Sequence, residues 1–131
     1  MITEDHVSFE IAKLLNLQGF DADIDLWYDE KGEAFFCPHY DISRNWRIRQ
    51  AQVVHLCPTL QMAMKWLREK HNIYISIQPD FPSDKDYKMC WCWSVSTLHE
   101  NCVSTKGHQC YIETYEEAVE AAIKYCLENL I

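Results

Sequence analysis

From Thr114 onward the chain carries one unbroken apolar stripe. Tyr115, Ala118, Val119, Ala122, Ile123, Cys126, Leu127 and Leu130 fall at successive i+3 and i+4 positions, the repeat of a single α-helical face. Thr114 followed three residues later by Glu117 is the capping-box pattern, in which each residue satisfies an orphan backbone donor. Glu120 and Lys124 can pair on the outer face, for about 0.3 kcal/mol. A helix with one apolar face needs a second layer to bury it, and the rest of the sequence supplies strands for that layer.

Two further helices are legible. Val7, Ile11, Leu14 and Leu15 line one face of a segment from Thr3 to Gln18, with Glu4 and Asp5 in its first turn. Gly19 is a natural left-handed stop, after which Phe20 folds back on Leu15. Leu60, Ala63, Met64 and Leu67 mark the other helix, with Thr59 as N-cap. Its last turn holds Arg68, Lys70 and His71, suited to the negative end of the dipole, and Asn72 can take the left-handed exit.

Strands fill the intervals. Ile24, Leu26 and Tyr28 alternate with polar residues, Asp29–Gly32 supplies a turn, and Glu33–Cys37 returns, a hairpin pattern. Val53-Val54 could form a short strand. Ile73, Ile75 and Ile77 alternate up to Pro79, and the polar loop PDFPSDKD follows. Met89, Trp91, Trp93 and Val95 share one strand face, with Cys90, Cys92 and Ser94 on the other. A shorter strand is expected near Gln109–Glu113. The order is α-β-β-(loop)-α-β-β-β-α, an α+β fold with helices packed on an antiparallel sheet. At 131 residues and 15.6 kDa it is read as a single domain, 1–131.

The 12 Lys+Arg against 20 Asp+Glu give a formal charge of −8. That argues against general binding of nucleic acids or anionic membranes, which require positive charge. No apolar run approaches the roughly 20 residues that span a bilayer, and MITEDH lacks the apolar core of an export signal. Seven cysteines without such a signal point to a reduced, cytoplasmic protein in which most thiols behave as small hydrophobes.

The blocks VSFEIAKLL with GF (7–20), PTLQMAMKWLREKHNIYI (58–75) and YEEAVEAAIKYCLENLI (115–131) resemble a family of small uncharacterised proteins from gut Bacteroides-type bacteria and their phages. The resemblance implies a bacterial cytosolic setting associated with a phage or mobile element. It implies no catalytic residue and no cofactor.

Several constellations could carry chemistry. The α-β-β-β-α order from Thr59 is shared with double-stranded-RNA-binding domains, but Tyr115-Glu116-Glu117 would repel a phosphate where those domains are basic. Cys37, His39, His55 and Cys57 form two mirrored doublets able in principle to complete a tetrahedral zinc shell, although the spacing is not that of the usual knuckles. Cys90, Cys92, His99, Cys102, His108 and Cys110 form a second cluster. Cys90 and Cys92 lie on one strand face about 7 Å apart, so they share a metal only if the backbone bends. The run Asp21-Ala22-Asp23-Ile24-Asp25 fails the EF-hand pattern, because Leu26 and Gly32 occupy the positions that need Gly and Glu. Arg44, Arg47 and Arg49 around Trp46 are the candidate partner-binding patch. No nucleophile elbow, P-loop or dinucleotide fingerprint is present.

The sequence therefore reads as a non-enzymatic interaction protein that contacts a protein partner or a second copy of itself, with no cofactor expected. Two alternatives stand beside it: an acidic decoy of a DNA-binding protein, and a zinc-dependent Cys/His module.

Overall fold

The computed structural model describes residues 5–37, 54–81 and 89–131. His39, the basic segment with Arg44, Trp46, Arg47 and Arg49, and most of the PDFPSDKD loop lie outside the described residues. The chain divides into two compact units, Met1–Thr59 and Leu60–Ile131. Among the described residues there are three helices and two antiparallel three-stranded sheets, the α+β class expected.

In the first unit, α1 spans Phe9–Leu17, a later start than Thr3. Ser8 is the N-cap, its hydroxyl accepting the Ile11 N–H at 3.3 Å. The residues before it pair elsewhere: His6 bridges Thr59, and the Val7 N–H donates to the Pro58 carbonyl at 3.0 Å. Asp5 is therefore outside the first turn, where Glu10 stands instead. The helix stops as expected. Gly19 has φ +82°, its N–H donates to Asn16 O, and the Phe20 N–H donates to Leu15 O at 3.0 Å, the paired bonds of a Schellman stop.

β1 (Leu26–Tyr28) and β2 (Ala34–Phe36) form the expected hairpin. The Asp29 carboxylate accepts the N–H groups of Lys31 and Glu33, both at 2.9 Å. Gly32 takes φ +86°, and a Cβ there would stand 3.1 Å from the Phe9 ring, so both conformation and packing favour glycine. A third strand, β3 (His55–Leu56), pairs with the other edge of β1. It begins beyond Val54, which is not in a strand, and Val53 lies outside the described residues. The Asn16 amide holds α1 to β3, donating to Leu56 O and accepting from Leu56 N, each at 3.5 Å. Val7, Ile11, Leu15, Trp27 and Leu56 form the buried centre.

The second unit contains α2 (Leu60–His71), β4 (Ile73–Asp80), β5 (Cys90–His99), β6 (Cys102–Ile112) and α3 (Tyr115–Asn129). Asn72 makes the helix exit at φ +54°. Thr114 caps α3, accepting the Glu117 N–H at 3.1 Å. The sheet order is β4-β5-β6. Both helices contact this sheet, and Ile73, Trp93 and Val95 are buried with Ala118, Ala122 and Ile123 of α3.

β6 is eleven residues long, not a short strand near Gln109–Glu113. Glu100 and Asn101 both have positive φ (+50° and +64°) between the paired residues His99 and Cys102, the two-residue turn whose twist suits a hairpin. Glu-Asn lacks the glycine that usually announces this turn, and Cys102–His108 is too polar to display alternation. No helix among the described residues is long and apolar enough to cross a membrane.

Candidate thiol and carboxylate site

Alternation along β4 and β5 sends Ile73, Trp93 and Val95 inward. The paired residues Gln78↔Cys92 and Ser76↔Ser94 then fall on the opposite face. Asp80 stands at the end of β4, paired with Cys90. β6 meets this region with an irregularity: Trp93 pairs with Gln109, but Trp91 pairs with Ile112. Two steps on β5 thus match three on β6, which is a bulge opposite Cys92. Tyr111 absorbs it at φ +65° and is exposed. Gln109 shares the face of Trp93, and its side-chain oxygen accepts the Trp93 indole N–H at 3.2 Å. Cys110, next along, falls on the side of Cys92.

The result is a group drawn from three adjacent strands. One carboxylate oxygen of Asp80 and the sulfurs of Cys92 and Cys110 all lie within 4.8 Å of one another. The Cys92 thiol donates to Asp80 Oδ2 at 3.8 Å. Desolvation, then the hydrogen bond and potential of Cys110, and then the charges of Asp80 and Cys90 push the Cys92 thiol up to about 12. Burial first, and then the neighbouring potential anions, hold the proton on Cys92, and a cation would work against both.

The spacing can be tested against a metal shell. Two thiolates bound tetrahedrally at about 2.3 Å from one ion lie about 3.8 Å apart, and a thiolate and carboxylate slightly closer. Contraction from at most 4.8 Å to that separation is within side-chain adjustment. Sulfur donors favour zinc-class ions over magnesium or calcium, which take oxygen.

The second sequence cluster is therefore split. Cys92 and Cys110 meet. His99 and Cys102 pair at the turn end of the hairpin, about 23 Å along the strand from Cys92. Cys90 is buried, its thiol 3.6 Å from the Asp80 carbonyl. His108 pairs with Ser94, two residues from Cys110. The sequence places Asp80 in a polar loop, whereas the structure makes it the last residue of β4. Its role depends on strand register, which leaves no local signal.

Of the first zinc candidates, Cys37 and Cys57 are buried. The Cys37 carbonyl accepts the Trp27 indole N–H at 3.1 Å, and the Cys57 thiol faces the Val7 carbonyl at 3.9 Å. His55 is half-buried with its ring edge-on to Phe9, 5.9 Å between centroids. Burial and the nearby Lys13 charge hold its pKa below 6.5. Cys37, His55 and Cys57 do not converge into a ligand group among the described residues. Comparison with protein-family models, curated proteins and solved structures finds no match.

Proposed function

We propose that this protein is a binding protein for a thiophilic, zinc-class metal ion held by Asp80, Cys92 and Cys110. The observation that carries the reading is the convergence of their three ligand atoms, from three neighbouring strands, within 4.8 Å. It is the zinc-module alternative of the sequence, moved to a different set of residues. Two thiolates and a carboxylate supply three negative charges to a dication, and binding offsets the burial and the neighbouring charge that keep Cys92 protonated.

The test is native mass spectrometry of reduced protein after incubation with zinc and buffer exchange. One added ion, about 65 Da per chain, is expected for the natural sequence, with loss of uptake in a Cys92→Ser/Cys110→Ser variant. Zinc uptake that persists unchanged in this variant, or no uptake by the natural protein, would remove the reading.

A further inference from the structure

We infer that His108 supplies the fourth ligand, so that the ion sits in a closed shell of two thiolates, one imidazole and one carboxylate and clamps β4, β5 and β6 together. This inference rests on the metal-binding reading of the same site. Tetrahedral zinc needs four donors, and Asp80, Cys92 and Cys110 provide three. The pairing Ser94↔His108 places His108 on the sheet face of Cys92, because Ser94 lies two residues beyond Cys92. It is also two residues from Cys110 on β6, and strand pairing is regular from Gly107 to Gln109.

Reach permits the bond. Residues two apart on a strand have Cα atoms about 7 Å apart. An imidazole nitrogen about 4.5 Å from its own Cα, plus a bond of about 2.0 Å, covers most of that distance before the cysteine arm is counted. The His108 side chain is exposed and engages no hydrogen bond, ion pair or ring among the described residues. It can therefore change rotamer at little cost.

The rival donor is Cys90, also beside Asp80 and Cys92. It is buried, and its thiol is directed to the Asp80 carbonyl. A third thiolate would give four negative charges around a dication, against three with a neutral imidazole. On a chain of net charge −8 the imidazole shell is the better balanced. Gln78, directly across from Cys92, offers only an amide, a poor zinc donor.

A closed shell leaves no position for water, so the site clamps strands and does not activate a nucleophile. The experiment is a chelator-competition titration with zinc, and an optical titration with cobalt(II), on the natural protein, His108→Ala and Cys90→Ser. Expected are two-thiolate charge-transfer intensity with tetrahedral cobalt bands, a loss of about 100-fold or more in zinc affinity for His108→Ala, and little change for Cys90→Ser. His108→Ala should also shift the cobalt bands toward higher coordination as water enters. Circular dichroism of His108→Ala should match the natural protein, since the side chain is exposed. If the natural protein binds no metal, the underlying site reading fails. If it binds and His108→Ala leaves affinity and cobalt spectrum unchanged, the His108 assignment alone is overturned. Three-thiolate intensity that drops in Cys90→Ser overturns it in favour of Cys90.

Discussion

Metal affinity at this site should climb steeply with pH, and the slope counts the thiols. Thiolates, not thiols, ligate metal, so each bound thiol that is protonated in the free protein releases a proton on binding. Cys92, raised to about 12, is protonated throughout the neutral range. Binding through Cys92 therefore releases one proton per ion at pH 7. By mass action this thiol alone raises the apparent zinc association constant by about tenfold per pH unit between pH 6.5 and 7.5.

The assay is zinc competition against a chelator of known proton stoichiometry, with proton release read independently by calorimetry in two buffers of different ionisation enthalpy. Removing this thiol, as in Cys92→Ser, should lower the affinity and take about tenfold per pH unit off the slope. A slope near zero for the natural protein would mean that carboxylates or histidines alone hold the ion. A slope that Cys92→Ser leaves untouched would mean that Cys92 takes no part. Either result would refute the argument from a protonated Cys92 ligand.

Other consequences are open to direct measurement. With glutathione disulfide the pair should close, faster as pH rises because Cys92 must lose its proton: two thiols and one glutathione disulfide give a Cys92–Cys110 bond and two glutathiones, and bound zinc should block it, as peptide masses under non-reducing conditions would show. In Gly107→Ala the new methyl would stand 2.7 Å from the Tyr125 ring, costing about 2 kcal/mol in urea unfolding. Most of that cost should vanish in a Tyr125→Leu background, and an undiminished cost would locate the strain elsewhere. His55, held below its ordinary pKa by burial and Lys13, binds its proton more weakly folded than unfolded. Its contribution to stability is therefore full above pH 6.5 and falls as pH drops through the folded pKa, and His55→Phe should flatten that acid limb in urea titrations. Cys126, pushed up to about 12 by burial, works in the opposite direction, so stability should fall as pH rises above about 9, less so in Cys126→Ala.

The helices are legible because their signals are local. The Thr114 cap, the Gly19 stop and the Asn72 exit each depend on a few consecutive residues, and all three stand where the pattern places them. The start of α1 is not legible, because the sequence cannot show that Val7 already donates to Pro58, 51 residues away by numbering (58 − 7). The length of β6 is hidden for a related reason. Its turn is made by Glu100-Asn101, and the residues after it have no apolar rhythm to reveal that they are paired with β5.

The candidate site lies where local reading fails most completely. Cys92 and Cys110 are both visible as possible ligands, but in a cluster of six with no means of choosing among them. The selection is made by register, and a bulge follows immediately beyond Cys110. With uninterrupted pairing, Tyr111 would oppose Trp91 and turn inward, while Ile112 would face out. The extra residue lets Ile112 pair with Trp91 and leaves Tyr111 exposed, the better arrangement for apolar burial. Cys110 keeps its place opposite Cys92, and Asp80 is brought alongside by the β4 pairing. The pairings of β5 with β4 on one side and β6 on the other thus place two thiols and a carboxylate together, without any of the three being marked in the sequence around it. A search for such sites is better directed at strand register, where side chains from neighbouring strands share one face, than at the spacing of cysteines along the chain.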